Sequence, residues 1–158
     1  MNIIIITDEN NGISFNKRRQ SKDIRLREQM LKYIKDKNSK LIMNSYSFEQ
    51  FSEDDLIQNN IFLNSIIKVN YDISNLPENA IENDAYYFFE CSYVSLYKNI
   101  IDEIVIFNWN TRYPADEYFD MSLEDYLLSS LTEFEGNSHK KITMEVYKKC
   151  QRKPAENI

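Results

Sequence analysis

Asn2-Ile3-Ile4-Ile5-Ile6-Thr7-Asp8-Glu9-Asn10-Asn11-Gly12 is the stretch on which the fold turns. Asn2 to Thr7 shows no alternation of polar and apolar positions. A strand that is apolar on both sides needs cover on both faces, which is the situation of a central parallel strand. Asp8 to Gly12 then stops it with turn chemistry. Tyr86 to Phe89 has the same uninterrupted apolar character. These two segments are therefore expected to lie side by side as buried, parallel strands.

Beyond Gly12, residues 14–22 read as a polar loop carrying Lys17, Arg18 and Arg19. Ser21 or Asp23 caps a helix to about residue 36, whose Ile24, Leu26, Met30, Leu31 and Ile34 fall at helical spacing. Residues 40–43 are a short strand. Ser47 with Gln50 makes a capping box for a second helix toward residue 58. Residues 61–63, 66–69 and 103–108 read as strands, and 72–84 as a loop. Ser92 caps a helix through Leu96 and Ile100, and Ser122 caps a short helical stretch to Leu128. Residues 130–134 and 142–147 alternate polar and apolar, and Gly136-Asn137 between them predicts a closing antiparallel hairpin. The expectation is a single α/β domain over residues 1–150, with a mixed, mostly parallel β-sheet flanked by helices and a C-terminal hairpin. Residues 151–158 are expected to form a loose tail.

A chain of 158 residues suits one core. It needs neither disulfide nor metal to bury roughly two-thirds of its surface. The net charge of −6 argues against nonspecific nucleic-acid binding, which requires basic surface. The initial apolar run is too short for a signal peptide and has no basic lead-in. No stretch approaches the ~20 apolar residues of a membrane span. Cys91 and Cys150 suggest no disulfide framework. The expectation is a reduced, cytoplasmic protein with no membrane association and no metal.

Three ordered segments resemble dihydrofolate reductase. The first is Ile3 to Ile13, then Asp23 opening a helix, Lys40-Leu41-Ile42-Met43, and Ser47-Phe48-Glu49. The second is Tyr86 to Phe89, Leu96-Tyr97-Lys98, Asp102-Glu103-Ile104-Val105-Ile106 and Asp116-Glu117-Tyr118-Phe119. The third is Asn137-Ser138-His139 leading into residues 142–148. The resemblance spans nearly the whole chain. It implies that family's fold and, if activity were kept, NADPH-dependent reduction of a pterin or folate-like substrate. It also implies that Asp23 stands where the family has the carboxylate holding the pterin ring. The reading from the residues alone is that Asp23 is a helix N-cap.

The departures fall on the cofactor side. Where the family has a glycine pair that lets backbone approach phosphate, this chain has Glu90-Cys91-Ser92-Tyr93. Where it has Gly-Arg after the second strand, this chain has Asn44-Ser45. The mobile loop lacks its Pro-Trp, and Phe107 replaces a threonine. Gly12 and Gly136 are the only glycines. No cofactor is expected.

The loop Asn16-Lys17-Arg18-Arg19-Gln20-Ser21-Lys22-Asp23 also resembles uncharacterised Firmicutes proteins loosely labelled ribonuclease Z. A metal-dependent nuclease needs clustered ligands, and His139 is the single histidine. The leading expectation is a diverged, non-catalytic small-ligand-binding or regulatory module. A reductase is the alternative, and a nuclease comes last. Asp23 is the catalytic candidate. The binding candidates are Lys17, Arg18, Arg19, Gln20, Ser21, Asp23, Ser47 and Tyr97, with arginine forks suiting a small anionic or heterocyclic ligand. His139 is expected to be exposed in its hairpin turn. The segment around Trp109 is read as a candidate partner surface.

Overall fold

The computed structural model describes residues 1–52, 65–90 and 93–151. In chain order, β1 (Asn2–Thr7) runs into β2 (Gly12–Phe15) and β3 (Arg18–Arg19). Helix α1 (Ile24–Asp36), strand β4 (Leu41–Asn44), helix α2 (Ser45–Ser52) and β5 (Ile66–Val69) follow. Then come β6 (Tyr86–Phe89), β7 (Glu103–Asn108), β8 (Glu117–Tyr118), β9 (Tyr126–Phe134) and β10 (Ile142–Lys149).

The main sheet has the order β5-β4-β6-β1-β7-β10-β9. Its first five strands are mutually parallel, and β10 runs antiparallel to both β7 and β9. β1 pairs with β6 in parallel, Ile3 beside Tyr87 and Ile4 beside Phe88, as the apolar runs predict. Ile4 faces the side where Leu26, Met30 and Leu31 of α1 pack, whereas Ile3 and Ile5 face Ile73, Val94 and Tyr97. Covering both faces removes Ile3, Ile4 and Ile5 completely from solvent. Each such side chain contributes roughly 1.5–3 kcal/mol relative to exposure. The fold is a mixed α/β sheet, mostly parallel, closed by a C-terminal antiparallel hairpin.

Four local expectations need correction. Residues 14–22 are not a plain loop, because β2 pairs with β3 and with β8 in a second, antiparallel sheet. Asn16 and Lys17 link β2 to β3 with positive φ at both positions, as a type I′ hairpin turn requires. Ser47 is not the cap of α2: the Asn44 side chain accepts from the Ser47 amide at 2.9 Å, so the helix begins earlier. The segment expected as a helix through Ile100 is a short 3-10 turn, Tyr93–Tyr97. Leu127 and Leu128 lie in β9 rather than in a helical turn. The expected strand at 61–63, the continuation of α2 to 58, the Ser92 cap and the tail from 152 lie outside the described residues.

Candidate functional site

In an open α/β sheet, ligands favour the crevice beyond the carboxyl ends of the strands, where the connections switch direction. Here β1 leads through α1 to β4 on one side, while β6 leads to β7 on the other. The switch point lies between β1 and β6, and Ile6, Phe89, Glu90 and Trp109 line it. Its cavity is only about 10 Å³.

The chain's own charges fill that crevice. Arg19 donates to Glu90 through Nε at 3.0 Å and Nη2 at 3.2 Å, a forked pair. Ser47 Oγ donates to Glu90 at 2.7 Å, and Gln50 Nε2 donates at 3.3 Å. The Arg19 guanidinium stacks on Tyr46 at 4.1 Å and donates to the Tyr46 carbonyl at 2.9 Å. Burial would lower the Arg19 pKa, but the Glu90 carboxylate outweighs it and the net shift is upward. Ser47 and Gln50, expected to cap a helix, instead hold this carboxylate.

A second network joins α1 to the β9–β10 turn. Asp23 caps α1, accepting from the Arg25 amide at 3.0 Å and the Leu26 amide at 3.4 Å. It also accepts from the amides of Asn137 and Ser138, each at 2.9 Å, and from Ser138 Oγ at 3.2 Å. His139 Nδ1 meets Asp23 Oδ2 at 2.9 Å. Burial alone would raise the Asp23 pKa. The donors from Asn137, His139, Ser138 and Arg25 overcome it and hold the carboxyl down to about 2. Asp23 is therefore a carboxylate at neutral pH, and both its oxygens are occupied by the protein. Gly136 makes the approach possible: a Cβ there would stand 2.5 Å from Asp23 Oδ2 and 2.8 Å from Ile142 Cδ1.

His139 is not exposed, which corrects the expectation from its turn position. Its side chain keeps only 6% exposure and its ring stacks on Trp109 at 4.4 Å. Trp109 is itself core, at 3% exposure, while Asn110, Thr111 and Arg112 of the same segment are exposed. His139 Nε2 lies 2.7 Å from the Tyr113 hydroxyl. In the tautomer that places Nδ1–H on Asp23, Nε2 is the acceptor and the Tyr113 hydroxyl the donor. An Asp23–His139–Tyr113 chain results, of the kind that lets a hydroxyl lose its proton to an oriented imidazole. Buried Asp8 positions the far end, its Oδ2 accepting from the Tyr113 amide at 3.2 Å and from Gln20 Nε2 at 3.0 Å.

Tyr113 borders an open groove of about 580 Å³, with Phe15, Asn16, Arg18, Arg19, Gln20 and Pro114. Arg18 is exposed and has no ion-pair partner among the described residues, and Lys17 beside it is exposed too. The structure thus divides the candidate residues from the sequence. Lys17, Arg18, Arg19 and Gln20 gather at or beside the groove. Arg19 and Ser47 are committed to Glu90, and half-buried Ser21 lines the filled crevice. Tyr97 packs on the opposite face of the sheet, where its hydroxyl binds the Leu76 amide. Sequence reasoning missed Tyr113 and Glu90 as network members and undervalued His139. Among the described residues, no group of three or more His, Cys, Asp or Glu side chains is placed to hold a metal. No helix among them is long and apolar enough to cross a membrane.

No family model matches this chain, and no curated protein matches it. Among solved structures, the chain is similar to dihydrofolate reductase from Enterococcus faecalis, a structure complexed with NADP(H) and RAB-propyl. The TM-score is 0.60 at 13% identity, covering 94% of this chain and 95% of that one. The likeness establishes a dihydrofolate reductase-like fold, and at that identity only the fold.

Proposed function

We propose that this chain is a small-ligand-binding module on a dihydrofolate reductase-like fold rather than a nicotinamide-dependent reductase. Its ligand is a small anion held beside Arg18. The observation that carries the reading is the Arg19–Glu90 pair across the switch-point crevice, which leaves a cavity of about 10 Å³. A dinucleotide needs open backbone or cations for its phosphates. The crevice offers a carboxylate whose arginine is already paired, so these residues do not fit that cofactor. Asp23 is equally committed: accepting a pterin edge would require it to surrender bonds to the 137–139 turn. The groove beside Arg18 has the opposite character. It is open, it carries the Arg18 guanidinium, which has no ion partner among the described residues, and it has aromatic walls in Phe15 and Tyr113. A planar fork beside aromatic surface suits a carboxylate or phosphate attached to a ring. Two cysteines and an acidic composition suit a reduced, cytoplasmic setting for such a module.

The test is a thermal-shift panel of inorganic phosphate, adenosine monophosphate, cyclic adenosine monophosphate, folate and NADPH, on the wild type and on Arg18→Ala. A ligand that binds only the folded state raises the midpoint by mass action. Stabilisation by a mononucleotide or folate that disappears in Arg18→Ala supports the reading. Stabilisation by NADPH that persists in Arg18→Ala, together with dihydrofolate turnover, replaces it with the reductase reading.

A further inference from the structure

We infer that Tyr113 is a reactive nucleophile, with His139 as its general base and Asp23 as the residue that positions the imidazole. The group it accepts is an activated acyl group on a small anionic ligand in the groove beside Arg18. The proposal rests on the groove reading for the ligand's anionic end alone.

The geometry separates this chain from simple anchoring. The β9–β10 turn is already fastened to α1 by the Asn137 and Ser138 amides on Asp23. That attachment does not need His139 to reach Tyr113. Yet the imidazole is stacked on Trp109, 22° from parallel, with one nitrogen on Asp23 and the other on the phenol. An imidazole held at both nitrogens and one face is pre-oriented to take a proton from the group it touches. The phenol belongs to a residue that also forms the groove wall with Arg18. The Tyr113 backbone is fixed in turn by Asp8, which is 1% exposed.

The step balances without any redox partner. Tyr113 Oη attacks the acyl carbon, and an O–C bond forms. The bond from that carbon to its leaving group breaks, and the leaving group departs with the electron pair. The phenolic proton passes to Nε2 of His139, while the Nδ1 proton stays on the Asp23 bond. The imidazolium then returns its proton to the leaving group or to water.

The experiment uses arylsulfonyl fluorides, which react by the same proton transfer with fluoride as leaving group. The wild-type protein is treated with benzenesulfonyl fluoride and with para-carboxybenzenesulfonyl fluoride, and adducts on its 11 tyrosines are located by peptide mass mapping. Tyr71 and Tyr93, 51% and 57% exposed, serve as internal controls that need no variant. Tyr113 is expected to react about a hundredfold faster than they do, the low end of general-base assistance. The carboxylate probe should react faster than the neutral one, a preference lost in Arg18→Ala. His139→Gln should remove most of the rate. Asp23→Asn, assayed in urea-free buffer after circular dichroism shows it folded, should lower the saturating rate while leaving half-saturation by the carboxylate probe unchanged, whereas a disturbed groove would raise half-saturation. Fast Tyr113 labelling with no preference between probes supports the acid–base chain and removes the anion groove. Tyr113 labelling no faster than Tyr93 overturns the proposal, as does an undiminished rate in folded His139→Gln.

Discussion

Replacing Asp23 by asparagine removes the charge on which α1, the 137–139 turn and His139 converge. The drop of its pKa from 3.8 to about 2 corresponds to roughly 2.4 kcal/mol of native-state preference for the ionised form. Asparagine also offers one acceptor oxygen where the carboxylate offers two. Its amide nitrogen must face either the Arg25, Leu26 and Asn137 amides or the Ser138 and His139 donors. Leaving such a buried donor unmatched costs roughly a further 1–3 kcal/mol. The expected loss at neutral pH is about 3–5 kcal/mol in total. It is measured by urea unfolding followed at Trp109, the only tryptophan, which is stacked on His139. The pH dependence supplies a second check. Because the folded-state pKa is depressed, the stabilisation is complete above about pH 4 and disappears as pH falls through about 2. Asparagine does not titrate, so the charge-dependent part of the gap narrows below about pH 4 and closes as pH falls through about 2, where only the unmatched amide separates the curves. A loss under about 1 kcal/mol at neutral pH, or a gap of unchanged size in acid, refutes the role assigned to Asp23.

Gly136→Ala should destabilise by roughly 1–3 kcal/mol, because its Cβ would enter the space of Asp23 Oδ2 and Ile142; a midpoint equal to wild type in urea contradicts that packing. Glu90→Gln leaves the partly buried Arg19 without its carboxylate and should cost about 1–3 kcal/mol, a loss that Arg19→Met in the same chain should largely relieve; additivity in the double-mutant cycle refutes the pairing. Tyr86→Phe removes one of the two phenols, Tyr33 and Tyr86, that donate to buried Glu103 and should cost about 1–2 kcal/mol by thermal unfolding. Tyr126 and Tyr147, pushed up to about 12 by burial, should ionise above the ordinary phenol range in an alkaline absorbance titration. Their neutral-form stabilisation is present below about pH 10 and lost as pH rises toward about 12.

The parts of the fold that could be read in the sequence are those whose burial leaves a continuous signature. β1 and β6 are covered on both faces, so their apolar runs identify them, and Asp23 at an apolar helical pattern marks the start of α1. The β2–β3 hairpin hid because its turn uses Asn16 and Lys17 at positive φ rather than glycine. β9 misled at its start because Leu127, Leu128 and Leu131 are all exposed at the sheet edge, so no alternation reveals the strand. Ser47 matched a capping pattern, but Asn44 made the bond first. The site was harder still. Arg19 and Glu90 are 71 residues apart, and Tyr113 and His139 are 26 apart, so nothing local links them. The one local sign was Gly136, whose missing side chain admits Asp23.

The crevice between β1 and β6 is closed by the protein's own Arg19–Glu90 ion pair. Titration calorimetry of NADPH into the wild-type protein tests it most directly. No saturable heat is expected at ligand concentrations up to about 1 mM, a ceiling equivalent to ~4 kcal/mol of binding. Saturable binding in the micromolar range, with Arg19 and Glu90 amide resonances shifting on addition, would contradict it.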